Sequence, residues 1–184
     1  MAFENVVRMV TNRGAFVTSP DAKEARAIFA ARKTIEAGFV ELAAARASGA
    51  DFKVLKKNIA DEDAHRRAGR MRAAVRLSGQ FHLLLADIAG NAILADQVRQ
   101  LVARTSLVTS LYENASEMGC WHDDHNKLIG YLRAHQTKRA ADLMRRNLDD
   151  LEESLALGRK ISNKTNLRAI FGLENLDANV PGNP

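Results

Sequence analysis

The amino-acid sequence predicts an all-α domain, an antiparallel bundle of about six helices preceded by a short β-hairpin. Three observations lead to this fold class. Aromatic residues make up only 5% of the 184-residue chain, which contains only three prolines. Alanine, leucine and arginine are abundant, which favours helices over strands. Apolar residues recur every three or four positions through most of the chain, as expected of helices that each bury one face.

The first twenty residues differ from the rest and predict the hairpin. Residues 6–10 and 15–17 are short runs of β-prone side chains, and the intervening TNRG has the composition of a hairpin turn. Ser19 and Pro20 then mark the start of a helix. We therefore expect the hairpin to be separate from the helical part.

Helical periodicity begins at Asp21. Ile28, Ile35 and Phe39 lie on one face of the first predicted helix, which the SGAD sequence starting at Ser48 ends. Gly90 and Asn91 are typical of a helix stop followed by a helix start. The six predicted helices span about residues 21–48, 52–65, 69–89, 91–116, 123–134 and 138–157.

This pattern divides the chain into three parts. Residues 1–20 contain the hairpin, residues 21–158 form the helical domain, and residues 159–184 form a weakly structured tail with one helical turn near residues 167–171.

The composition excludes several classes of protein. One cysteine cannot form a disulfide framework and suits a reducing compartment. No apolar run is long enough to cross a bilayer and no leader sequence is present, so we expect a cytoplasmic protein without membrane contact. The formal net charge of +5 admits an acidic partner. The arginines within residues 66–76 spread around their helix, however, which favours a solvated basic face.

The stretch GCWHDDHNKL, residues 119–128, is rich in metal-ligand residue types. Cys120, His122, two aspartates and His125 fall within six residues. Only His125 lies at helical spacing from the apolar residues that follow, so we predict that it faces the core. Cys120 and His122 precede the helix and are predicted to lie in a loop. A zinc site needs three or four ligands within tetrahedral reach, so the stretch alone does not predict one.

Three further polar residues share the inward orientation of His125. Ser78 and His82 lie one turn apart on the apolar face of the third predicted helix, and Asn147 lies on that of the sixth. Buried polar groups need partners, so we expect these side chains to bond to one another or to a bound ligand. Periodicity predicts that they face inward but not that they meet.

Four stretches occur in an order and spacing typical of one protein family. They are VVRMVTNRGAFVTSPD, IFAARKTIEAGFVELAAARAS, FHLLLADIAGNAIL and DHNKLIGYLRAHQTKRAADLMRRNL. Together they resemble the GntR superfamily of bacterial transcription regulators, in the branch that carries the FCD effector domain. The first stretch is similar to the wing hairpin of the family's winged helix-turn-helix, the second to the first effector-domain helix, and the fourth to the two closing helices.

The resemblance implies a ligand set inside the bundle. Many members hold a divalent metal with one aspartate and three histidines, at positions that correspond here to Ser78, His82, His125 and Asn147. With serine and asparagine in two of these places the set is degenerate, and His82 and His125 remain as ligands for a weakly bound zinc or nickel. The alternative is that all four side chains bind an organic effector directly.

The resemblance also implies a ligand-binding role for Arg32. It corresponds to a position that often helps to bind an effector carboxylate, and the alternative is an ion pair with Glu36 one turn away. We therefore predict an effector-binding set of Arg32, Ser78, His82, His125 and Asn147.

The leading hypothesis is the effector-sensing domain of a GntR-type regulator, in which a small organic acid controls DNA binding by a homodimer. The chain starts at Met1, just ahead of the predicted wing, so we expect DNA contact only through a helix-turn-helix that this chain lacks. One alternative is a metal-dependent all-α enzyme using His82 and His125, which would need inward carboxylates. The other is a structural interaction module without a pocket.

Overall fold

Six helices make up most of the computed structural model, which describes residues 7–10, 14–112 and 122–157. They are α1 (Ala22–Arg46), α2 (Gly49–Arg67), α3 (Met71–Ile88), α4 (Ala92–Tyr112), α5 (His122–Arg133) and α6 (Thr137–Glu153). The predicted all-α bundle is confirmed. None of the helices in these ranges is both long and apolar enough to cross a membrane. The predicted tail, residues 159–184, lies outside the described residues.

Two short strands precede the helices. β1 (Val7–Val10) and β2 (Gly14–Val17) pair antiparallel, with Val7 opposite Val17 and Val10 opposite Gly14. The predicted TNRG turn includes residues 11–13, which are outside the described ranges. That this strand pair belongs to the wing of a DNA-binding domain stays a prediction.

Side-chain caps determine where α1 and α2 begin. Asp21 accepts a hydrogen bond from the backbone N–H of Glu24, and α1 starts directly after it, as predicted. The prediction of a loop at SGAD with a helix from Phe52 is wrong. Ser48 and Asp51 form a capping box, in which each side chain accepts a hydrogen bond from the other residue's backbone N–H, so α2 already starts at Gly49.

α1 is the central helix of the bundle and packs against α3, α4, α5 and α6. The larger hydrophobic core contains the buried side chains of Phe39, Leu55, Phe81, Leu85, Leu128 and Leu132. A smaller core around Phe29 and Val108 lies toward the beginning of α1. Along α1, two buried charged residues, Arg32 and Glu36, lie between these apolar regions.

Gly90 follows the last turn of α3 in a conformation that favours glycine. Its φ is +66°, and Arg46 Nη1 donates a hydrogen bond to the carbonyl of Ala89 at 2.9 Å, where a Cβ on residue 90 would overlap that nitrogen. We expect Gly90→Ala to lower the free energy of unfolding by about 1–2 kcal/mol, because it strains the backbone and displaces Arg46. Urea denaturation measures the change.

Gly38 provides the matched control for that substitution. It is exposed in the interior of α1, and no atom lies within 4 Å of where its Cβ would be. Gly38→Ala is therefore expected to raise the free energy of unfolding by roughly 0.5–1 kcal/mol through helix propensity. Effects of the same sign at positions 38 and 90 would contradict the argument.

Candidate functional site

A buried ion pair on α1 is the centre of the candidate site. Arg32 and Glu36 are 2% and 0% exposed, and Arg32 Nε donates a hydrogen bond to Glu36 Oε1 at 2.5 Å. Residues four apart on a helix share one face, and here that face is turned to the core. Arg32 nevertheless keeps unused hydrogen-bonding capacity, because its Nη2 is buried and has no partner among the described residues.

His82 on α3 joins this pair from the neighbouring helix. It is buried, and its Nδ1 lies 2.5 Å from Glu36 Oε2. Burial by itself raises the pKa of Glu36, but the charge of Arg32 and the contact with His82 outweigh it and lower that pKa to about 2. Burial lowers the pKa of His82, and Arg32 and His125 add to that effect against the opposing influence of Glu36.

These shifts determine the protonation of the cluster near neutral pH. Glu36 is a carboxylate and His82 is a neutral imidazole. A carboxylate only accepts hydrogen bonds, so we assign the imidazole proton to Nδ1 of His82, which donates it to Glu36. Nε2 of His82 then carries a lone pair that can accept a hydrogen bond from a ligand.

A second buried acid–histidine pair lies beside the first. Glu62 on α2 is 0% exposed, and its Oε1 accepts a hydrogen bond from Arg66 Nη2 at 2.7 Å. His125 Nδ1 lies 3.6 Å from Glu62 Oε2, which is too far for a hydrogen bond, and both nitrogens of His125 lack partners among the described residues. Burial raises the pKa of Glu62, but His125 and Arg66 outweigh it, so the net shift is downward.

Aromatic contacts hold the two histidines next to each other. The ring of His125 stacks on Phe81 with centroids 4.0 Å apart and planes 18° apart. The rings of His82 and His125 meet edge to face, with centroids 5.4 Å apart. The larger core therefore fixes the position of His125, and α3 supplies both of its ring neighbours.

A central cavity of about 30 Å³ adjoins this cluster, lined by the polar side chains of Arg32, Arg66, Ser78, His82, Thr105 and Thr109. Arg66, like Arg32, has a buried nitrogen without a partner in the described part of the chain, its Nε. The hydroxyl of Thr105 is already used, because it donates to the carbonyl of Leu101. Unpaired guanidinium nitrogens beside a hydroxyl-lined cavity are suited to binding an oxyanion.

The five predicted site residues are therefore only partly brought together. Arg32, Ser78 and His82 line the central cavity, and His125 reaches the group through its ring contact with His82. Asn147 is buried on α6, but it does not line this cavity, and no hydrogen bond joins it to the other four residues.

Sequence reasoning missed Glu62 and Arg66. Glu62 lies seven residues after Leu55 and three after Ile59, on the buried face of α2, so the periodicity that selected the histidines applied to it as well. The second helix was predicted to end at residue 65, so Arg66 was not placed on its buried face. The interpretation of Arg66 as part of a solvated face is wrong, because its side chain is 15% exposed and pairs with Glu62.

The donor set does not fit a tightly bound divalent metal. In the described ranges, no group of three or more His, Cys, Asp or Glu side chains is arranged to hold an ion. Serine and asparagine at positions 78 and 147 are poor ligands for zinc or nickel, so only the imidazole nitrogens of His82 and His125 remain as donors. Weak binding of such an ion by His82 and His125 stays a prediction.

The stretch GCWHDDHNKL lies partly outside the described residues, which begin again at His122, the first residue of α5. Cys120 is therefore not described. His125 and Leu128 are buried within α5, as their spacing predicted.

The fold is a helical bundle with a polar cavity among its helices. The sequence profile of the FCD domain matches residues 27–150. The chain belongs to the FCD domain family.

Solved structures of bacterial proteins share the fold. E. coli McbR/YncC superposes with a TM-score of 0.69 at 18% identity, covering 81% of this chain and 78% of that one. A putative GntR transcriptional regulator from Rhodococcus sp. RHA1 gives 0.70 at 21% identity, covering 85% and 74%. Streptococcus agalactiae GntR gives 0.62 at 19% identity, covering 83% and 77%. No curated protein sequence matches the chain significantly.

Proposed function

We propose that this domain binds a small organic acid inside its helical bundle and thereby controls DNA binding by a dimeric cytoplasmic regulator. One observation is the main support for the proposal. Arg32 is buried, its Nη2 lacks a hydrogen-bond partner among the described residues, and it lines the same cavity as Ser78 and His82. A buried donor without an acceptor is costly, and a ligand carboxylate would satisfy it with a charge-assisted bond.

The other groups around the cavity complement this contact. Glu36 fixes the guanidinium of Arg32 through Nε and fixes the His82 ring through Nδ1, so both side chains are oriented before a ligand arrives. Ser78 offers a hydroxyl group, and Nε2 of the neutral His82 accepts a hydrogen bond.

The size of the cavity supports a link between binding and conformational change. About 30 Å³ holds little more than a water molecule, whereas ligand pockets usually measure about 300–1,000 Å³. An organic acid can therefore enter only if side chains or helices that line the cavity move. A ligand that binds only the opened bundle shifts the population toward it, and a dimer carrying DNA-binding domains would respond to that shift.

Thermal unfolding with a panel of lactate, succinate, citrate and adipate tests the proposal. A ligand at a hundredfold excess over its dissociation constant is expected to stabilise the domain by about 2.7 kcal/mol, which raises the midpoint by roughly 5–10 °C. We expect the double variant Arg32→Met/Glu36→Gln, which removes the ion pair as a unit, to lose this response. Arg146→Gln is the matched control, because Arg146 is exposed and does not line the cavity.

Two results would contradict this proposal. One is a midpoint that no carboxylate in the panel changes, or changes equally in the double variant. The other is stoichiometric zinc or nickel that survives treatment with EDTA, because a tightly held metal would replace direct contact with the effector.

A further inference from the structure

A surface groove between α3 and α4 lies directly outside the central cavity. The groove has a volume of about 240 Å³, and its lining includes Arg76, Gln80, Leu83 and Arg99. Three residues, Gly79, Val102 and Ser106, line both the groove and the central cavity. They form the partition between the two spaces.

This partition is thin because Gly79 has no side chain. A Cβ at position 79 would lie 3.0 Å from Cγ1 of Val102, closer than ordinary van der Waals contact. The side chain of Val102 is therefore the apolar group that separates the groove from the cavity at this point. A small movement of that side chain would join the two spaces.

The volumes determine how a ligand can be divided between the two spaces. The central cavity accommodates about one carboxylate-sized group, at about 30 Å³. The groove, at about 240 Å³, is large enough for a short chain. An organic acid whose carboxylate reaches Arg32 must therefore place the rest of its atoms in the groove, where Leu83 and Val102 provide apolar contacts.

The charges around the groove indicate which chemical group the ligand carries at its far end. Arg99 is already engaged by Asp87 and Asp96. Arg76 is exposed, and no ion pair in the described part of the chain engages it. Arg76 is thus the cation available to a second acidic group.

We propose that the ligand is a linear dicarboxylate lying across the partition between α3 and α4. One carboxylate binds Arg32 in the central cavity, the methylene chain passes between Gly79 and Val102, and the second carboxylate binds Arg76 in the groove. This inference rests on the proposed function, because it assumes that the cavity receives an organic acid. It adds the length of the ligand and its second charge. It also adds two residues that select for them, Gly79 for the path of the chain and Arg76 for the charge.

Adipate and hexanoate form a matched pair of probes, because each has six carbons and only adipate has a second carboxylate. Isothermal titration of the intact chain should give adipate about fivefold tighter binding than hexanoate, the upper range for a partly exposed ion pair. Arg76→Gln should reduce that ratio to about one without weakening hexanoate. Arg146→Gln should leave the ratio unchanged, because Arg146 does not line the groove.

Gly79→Ala tests the path of the chain independently of charge. It should weaken adipate and hexanoate in parallel, because the added methyl group occupies the partition. Circular dichroism should give the same helical content for each variant as for the parent chain.

Four outcomes overturn the proposal. Equal affinities for adipate and hexanoate, or an adipate preference that survives Arg76→Gln, would remove the second carboxylate site and leave organic-acid binding at Arg32 intact. Binding of lactate or citrate without binding of either probe would do the same. Failure of every carboxylate to bind would overturn the proposed function together with this inference.

Discussion

Replacing Arg32 with methionine is expected to lower the free energy of unfolding by about 3–5 kcal/mol. The substitution keeps an apolar chain of similar length but leaves Glu36, which is 0% exposed, without its guanidinium partner. An uncompensated buried charge is costly because it has lost both its water and its counter-ion. Equilibrium unfolding in guanidinium chloride measures the loss.

The double variant separates the charge effect from the packing effect. Arg32→Met with Glu36→Gln leaves no net charge in the pair, so it should cost less than Arg32→Met alone although two residues are changed. Lys33→Met is the matched control on the same helix. Lys33 bridges Asp149 and Glu152 with a side chain that is 24% exposed, and its loss should cost about 1 kcal/mol or less.

A spectroscopic measurement checks the same arrangement. Removing Arg32 should raise the pKa of His82, because a repulsive neighbour is lost while Glu36 remains. Histidine titration by NMR detects this change. A cost for Arg32→Met no larger than that of Lys33→Met, together with an unchanged pKa of His82, would show that the ion pair does not organise the site.

Stability is expected to fall in two steps as the pH is lowered. The pKa of Glu36 is about 2 in the folded protein against an ordinary value of 4.5, so its contribution is complete above pH 4.5 and is lost between about pH 4.5 and 2. That shift corresponds to about 3 kcal/mol. The lowered pKa of His82 acts in the same direction at higher pH. Below pH 6.5, the ordinary pKa of histidine, His82 takes up a proton more readily in the unfolded chain than in the folded protein, so stability falls as the pH is lowered.

Unfolding at a series of pH values from 7 to 2.5 tests this expectation. Glu36→Gln should be less stable than the parent near pH 7 and should lack the additional loss below pH 4.5, while the loss that begins below pH 6.5 persists. Parallel curves for the parent and Glu36→Gln throughout the acid range would contradict the assigned pKa.

The periodicity of the sequence predicted the bundle because each helix buries one face. The same periodicity marks the polar positions that face inward, which is why it identified Ser78 and His82. Distances between helices are not encoded in periodicity. Asn147 and His82 look equivalent in the sequence, yet only His82 lines the cavity.

The charged members of the site were harder to predict for a different reason. Glutamate and arginine are exposed in most helices, so a single Glu62 or Arg66 is ordinarily assigned to solvent. Burial becomes tolerable when partners arrive from other elements, as His82 of α3 does for Glu36. Such compensation depends on packing between helices, and spacing along one helix does not reveal it.

The length of α1 has a mechanical consequence. This helix runs without interruption for 25 residues, so Arg32 lies about 15 Å along its axis from the first turn at Ala22. β2 ends only five residues before α1 begins, at Val17. A ligand-induced shift of α1 at Arg32 would therefore also displace the N-terminal end of the helix, next to the segment that joins it to β2.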